Sequence, residues 1–96
     1  MHIVRVGLDV PLAQTFDYRS DQRLRVGERV LVPFGRRYVV GVVLDIGDTT
    51  DVAPDRLKSI ARTLPEPCLS IDDLRLLRFT ADYYHYPLGQ VVMNAL

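Results

Sequence analysis

Apolar and polar positions alternate over residues 3–10, IVRVGLDV, with Val4, Val6, Leu8 and Val10 on one side and Ile3, Arg5, Gly7 and Asp9 on the other. A period of two is that of a half-buried strand, and Pro11 ends it. A short extended piece at 15–19 carries Phe16-Asp17-Tyr18, and the polar stretch from Ser20 to Arg25 is a loop. Gly27 then precedes ERVLVPF, a second strand expected to stop at Pro33. GRR at 35–37 is a tight connection into YVVGVVLDIG at 38–47, the most strand-like run of the chain. Gly41 inside that run points to a bulge or a close backbone approach. Asp48 to Pro54 form a polar acidic loop, the natural place for sequence variation. RLKSIARTL at 56–64 fits helix or strand; a strand is favoured, placing Lys58 toward one rim. Pro65 and Pro67 bracket a turn.

The period changes after that turn. Ser70 is placed as a helix N-cap, with Asp73 completing a capping box in place of the usual Glu or Gln. Ile71, Leu74, Leu77, Ala81 and Tyr84 recur at helical spacing as the buried stripe, widened by Leu76 and Phe79. The helix should end near His85, because Pro87 disfavours helical geometry in Tyr86. A second short helix starts at Pro87 or Leu88 and runs to the end; the apolar VVMNAL terminus reads as a cut inside a longer protein. Strands first and helices last predict an α+β domain. The expected form is a small curled antiparallel sheet or partial β-barrel with the C-terminal helices packed against one end.

Ninety-six residues, 48% of them hydrophobic, suffice for one compact core and exclude a disordered chain. Cys68 is the only cysteine, which rules out an internal disulfide and a thiolate cluster and fits a reducing, cytoplasmic setting. Residues 1–12 have no long apolar run, so neither a signal peptide nor a membrane span is expected. Net charge is zero but unevenly spread: residues 1–37 hold seven arginines against four acids, and residues 38–73 hold seven acids against three basic residues. Six of those arginines fall between Arg19 and Arg37, forming a solvated face or an anion-binding surface. Affinity for long duplex DNA does not follow from such a run.

Enzyme signals are thin. The chain has no GxxxxGK[ST], HExxH or GxSxG sequence, and His2 and His85 stand in no ligand-spaced cluster. Cys68, before a helix start, reads as a small buried hydrophobe more readily than as an activated thiol. Phe16-Asp17-Tyr18 has two readings. It is two core or rim rings with a turn acid, or a trio in which aromatics flank a carboxylate that accepts a hydrogen bond from a hydroxyl. Val32 to Gly35, VPFG, is a strand end with a turn glycine, or a bare backbone against which a flat ring can lie. ADYYHYPLG at 81–89 holds three of the five tyrosines. Their rings cover a core edge, or present an aromatic surface to another domain or to a nucleic-acid strand.

Taken together, DVPLAQTFDY at 9–18, GERVLVPFGRR at 27–37 followed by Gly41, DRLKSI at 55–60 and ADYYHYPLGQV at 81–91 resemble one family. It is the N-terminal domain of the bacterial primosomal replication-restart helicases, the PriA family. The likeness spans nearly the whole chain, with the motifs in the family's order. Asp9 departs from the family's first proline, and the loop after Tyr18 is short and arginine-rich. The resemblance implies a non-catalytic module that recognises the 3′-hydroxyl end of the nascent leading strand at a stalled fork, with little base preference. It implies a terminal-nucleotide pocket of Phe16, Asp17, Tyr18, Gly35 and Lys58. Asp17 would accept from the 3′-hydroxyl, backbone near Phe16, Tyr18 and Gly35 would meet the base, and Lys58 would favour the phosphodiester. A 3′-phosphate would set like charges together at Asp17.

For the longer parent the resemblance implies an ATP-dependent 3′-to-5′ DNA helicase with ATP, magnesium and zinc, the cofactors lying outside this segment. Its partners would be forked DNA, its own further domains, single-strand binding protein and primosome proteins. The competing expectation is a protein-interaction or interdomain docking module built on Tyr83 to Tyr86.

Overall fold

The computed structural model describes residues 2–10, 14–64 and 69–95, with side chains as far as Met93. Pro11, the turn at Pro65 and Pro67, Cys68 and the terminal Leu96 lie outside the described residues. The elements are β1 (His2–Leu8), β2 (Phe16–Ser20), β3 (Arg29–Phe34), β4 (Arg37–Gly47), β5 (Arg62–Leu64), α1 (Ile71–Tyr84) and α2 (Leu88–Ala95). The strands form one antiparallel sheet in the order β2-β1-β4-β3-β5. Together with the two following helices this makes an α+β fold.

Alternation in β4 serves two cores, with Val43 in one and Val42 and Leu44 in the other. Val4, Val6 and Leu8 join Tyr18, Leu24, Val30, Val32 and Val43 on one face of the sheet. On the other face Val42 and Leu44 of β4 meet Leu74 of α1 and Val92 of α2. Gly89 brings α2 against β1, since a Cβ there would lie 2.8 Å from the backbone N and carbonyl C of Leu8. The sheet is strongly curled. Tyr18 on β2 donates its hydroxyl to the Pro33 carbonyl on β3 at 2.8 Å, although two strands separate them in the sheet order. Phe16 and Phe34 likewise meet edge to face with centroids 5.1 Å apart.

Several expectations shift. β3 runs through Pro33 to Phe34, because β5 pairs only with Arg29–Leu31 and no neighbour on that side requires an N–H from Pro33. Gly41 marks a close approach: a Cβ there would meet Val6 and Leu8 side chains. The bulge sits at Leu44, where the register passes from Arg5↔Asp45 to Val6↔Val43. The strand expected over 56–64 shrinks to Arg62–Leu64, since residues 54–56 are a turn closed by Leu57 N–H donating to Ala53 O at 3.0 Å. Lys58 therefore precedes β5 on an extended segment. That segment is held to β2 by Arg19 N–H donating to Lys58 O (2.8 Å) and Ile60 N–H donating to Arg19 O (3.0 Å).

The capping box forms as expected. Asp73 N–H donates to Ser70 Oγ at 3.0 Å and Ser70 N–H to Asp73 Oδ2 at 3.3 Å, and His85 closes α1 in the left-handed region at φ 58°. The predicted stripe is corrected. Leu74 and Ala81 are buried and Leu77 half-buried, while Ile71, Leu76, Phe79 and Tyr84 are exposed. The seam α1 shares with the eight-residue α2 is narrower than its apolar stripe, so the flanks of the stripe face outward. Among the described residues, no helix is long and apolar enough to cross a membrane.

Candidate nucleic-acid interface

Asp17 sits in mid-β2, directly across from Arg5 of β1. The outer edge of β2 explains why these two side chains meet. Arg19 spends its main-chain N–H and C=O on residues 58 and 60, outside the β1–β2 ladder. In an antiparallel pair the hydrogen-bonded and non-hydrogen-bonded positions alternate, so Asp17↔Arg5, two residues along, is also a non-hydrogen-bonded pair. Those positions bring side chains closest. Arg5 Nε lies 3.4 Å from Asp17 Oδ1. By the same alternation the main-chain N–H and C=O of Asp17 point off the sheet edge, while those of Phe16 and Tyr18 face β1.

The other carboxylate oxygen is held from a distant segment. Thr50 donates its hydroxyl to Asp17 Oδ2 at 2.6 Å and accepts from Val52 N–H at 3.1 Å. Asp17 is thus fixed at both oxygens, with 12% of its side chain exposed. Tyr18 is buried, and burial pushes its phenol above the ordinary value of 10.0. Its hydroxyl ties the middle of β2 to the end of β3 across the site. The Arg19 guanidinium donates to Leu57 O at 2.7 Å, adding a side-chain clamp to the main-chain bonds that set the Lys58 segment.

Gly35 opens the two-residue hairpin turn between Phe34 and Arg37 with φ 62°, a left-handed conformation that favours glycine. No protein atom lies within 4 Å of where its Cβ would stand. Its requirement for glycine therefore comes from the backbone angle and from whatever uses the space above it.

Phe16, Asp17, Tyr18, Gly35 and Lys58 all line one open concavity of about 660 Å³. The five positions come from three separated stretches, brought together by the curl of the sheet and by Arg19. Arg5, Arg56 and Asp51 line it too, so three cations and two carboxylates face the same space. Sequence reading missed Arg5, Thr50 and Arg56. The cross-strand register pointed at Arg5 only once β1 and β2 were paired. Thr50 gave no local signal inside a loop read as variable. Of the arginine run, Arg19 serves the fold, Arg25 pairs with Glu28 at 3.6 Å, and Arg36 and Arg37 stand exposed beside Gly35.

Thr15 also lines a depression of about 360 Å³ with Ala81, His85 and Tyr86, joining the site to the tyrosine-rich helix end. There Phe79 stacks on Tyr83 (6.0 Å) and Tyr84 on Tyr86 (5.9 Å), all four rings exposed. Among the described residues, no three His, Cys, Asp or Glu side chains gather as metal ligands.

The curled α+β domain thus presents, in one open concavity, a carboxylate fixed at both oxygens beside three cations and the bare backbone of Gly35. Residues 5–96 match the family model of the 3′ DNA-binding domain (3′BD) of PriA. The chain is 42% identical to the replication restart protein PriA of Haemophilus influenzae, over 100% of this chain and 14% of that protein. It is 29% identical to the PriA of Buchnera aphidicola subsp. Acyrthosiphon pisum and 24% to that of the subspecies Schizaphis graminum, with the same coverage. The chain belongs to the PriA 3′ DNA-binding domain family, and it spans about a seventh of the length of these relatives.

Proposed function

We propose that this chain binds the 3′-hydroxyl end of a DNA strand, with Asp17 accepting a hydrogen bond from the terminal hydroxyl. The observation that carries this reading is the convergence of Phe16, Asp17, Tyr18, Gly35 and Lys58 on one concavity in a member of the 3′ DNA-binding family. The terminal base lies against Gly35 and the outward main-chain groups of Asp17. Main-chain groups pair with any base edge, so base preference is small. Lys58, with Arg5 and Arg56, favours the phosphodiester on the 5′ side of the terminal nucleotide. The hydrogen bonds running from Arg19 to residues 58 and 60, and from Ala61 N–H to Leu31 O at 2.8 Å, support reading the curled sheet as a partial barrel with the site at its rim.

In a longer protein the domain serves as the recognition module of an ATP-dependent 3′-to-5′ helicase in replication restart, acting on forked DNA at stalled forks. ATP, magnesium and zinc, and contacts with single-strand binding protein and primosome proteins, belong to that longer protein.

The test compares oligonucleotides ending in a 3′-hydroxyl, a 3′-deoxy sugar and a 3′-phosphate by fluorescence anisotropy. The deoxy end isolates the hydroxyl, because a phosphate also feels Arg5, Arg56 and Lys58. A hydrogen bond to a charged acceptor predicts about tenfold or greater preference for the hydroxyl end, and only a few-fold spread among the four terminal bases. Equal affinity for hydroxyl and deoxy ends would sink the role of Asp17.

A second reading is favoured by the exposed rings of Phe79, Tyr83, Tyr84 and Tyr86. Here that face docks a neighbouring domain of the longer protein, whose relatives extend far beyond the matched segment. It predicts that Tyr83→Ser and Tyr84→Ser spare 3′-end preference but loosen that interdomain contact, read as increased protease sensitivity between domains in the full-length protein.

A further inference from the structure

We propose that Thr50 and Arg5 are positioning residues that set the direction of the Asp17 carboxylate, and through it the discrimination between 3′ ends with and without a hydroxyl. This rests on the reading of Asp17 given above. A carboxylate offers about four lone-pair sites on two oxygens. Thr50 takes one on Oδ2 at 2.6 Å and Arg5 meets Oδ1 at 3.4 Å, so both oxygens are engaged before any ligand arrives.

The Thr50 contact has a direction. Val52 N–H donates into the Thr50 oxygen, which turns the hydroxyl proton toward Asp17. The chain from Val52 to Thr50 to Asp17 is thus cooperative, each bond polarising the next. At 2.6 Å the last link lies in the range of hydrogen bonds to an ionised acceptor, stronger than those between neutral partners. It fixes the carboxylate plane, leaving the remaining lone pairs to face the concavity.

The same bond anchors residues 50–52 to β2, and Asp51 and Val52 line the concavity beside Asp17. Arg5 acts differently. Its side chain is 50% exposed, so it steadies Oδ1 weakly while lending positive charge to the site. Thr50 therefore carries most of the orientation, and Arg5 the smaller share.

A loop-anchoring role alone would weaken binding to every DNA end alike. An orienting role changes the ratio of dissociation constants for 3′-deoxy and 3′-hydroxyl ends, and that ratio is the readout. Thr50→Val keeps the shape and removes the donor, and is expected to lower the ratio by about fivefold or more. Thr50→Ser restores the hydroxyl and brings the ratio back. Arg5→Met, at a half-exposed position, lowers the ratio by about twofold while weakening both ends through the lost charge.

Circular dichroism confirms that each variant is folded, and the Arg5→Met ratio decides the matter where Thr50→Val does not fold. A wild-type ratio of one would overturn the reading of Asp17 and this inference with it. A wild-type preference that Thr50→Val or, in its stead, Arg5→Met leaves intact would overturn this inference alone.

Discussion

Replacing Gly35 by alanine separates what the backbone demands at the hairpin tip from what a ligand demands. At φ 62° an L-residue pays roughly 1–2 kcal/mol that glycine does not. The structure adds nothing to that figure, since no protein atom lies within 4 Å of the new Cβ. In a domain of this size each kcal/mol lowers Tm by about 4–8 °C, so Gly35→Ala should melt about 5–15 °C below wild type. Urea unfolding should show a lower midpoint with an unchanged slope. Binding is read separately at 25 °C, where the variant remains folded. The added methyl stands in the space proposed for the terminal base, and a methyl forced into a close-packed contact costs about 1–3 kcal/mol. Affinity for a 3′-hydroxyl oligonucleotide should therefore fall about tenfold, well beyond the small unfolded fraction. A variant that loses the expected stability yet binds DNA like wild type would refute the placement of the base against Gly35. One with wild-type stability would refute the strain.

Tyr18→Phe removes the hydrogen bond to Pro33 O and should cost about 1 kcal/mol at neutral pH. Burial raises the Tyr18 phenol above 10.0, so the folded chain holds a proton that the unfolded chain releases. The associated stability is full below pH 10.0 and is lost as pH rises through the raised value. Urea midpoints between pH 8 and 11 should therefore fall more steeply for wild type than for Tyr18→Phe, and parallel curves would contradict the burial effect. Gly89→Ala drives a Cβ into the Leu8 main chain, which cannot swing aside as a side chain does. It should cost about 2–3 kcal/mol or more in chemical denaturation, and near-normal stability would show that α2 does not cross β1 so closely.

What could be read in the sequence was what short-range chemistry determines. The alternation through Val4, Val6 and Leu8, the glycine turn after Phe34 and the Ser70–Asp73 box each depend on residues a few positions apart. All three stand in the structure. The five residues carried over from the family resemblance line one concavity, a placement that no local pattern implied. Contacts between distant segments were not legible. Thr50 reaches back 33 positions to Asp17, and Arg19, counted within a charge run, closes on Leu57 38 positions away. The helical stripe misled in the opposite direction. Periodicity reported how much apolar surface α1 carries, but the amount covered depends on α2, whose short length no pattern in α1 encodes.

The outer edge of β2 also bears on how the molecule avoids sticking to itself. An exposed strand edge invites another strand to zip along it, the usual route to sheet-mediated aggregation and to capture of extended peptides. Within β2 the outward main-chain groups belong to Asp17 and Arg19, and the segment at 58–60 consumes those of Arg19. A single residue's donor and acceptor remain, beside a carboxylate that a passing peptide would have to bury. That is too little for a strand to add, yet it is the complement of one flat group bearing its own donor and acceptor. The edge is thus closed to polymers of backbone, and on the proposed reading of the site it stays open to a single ring.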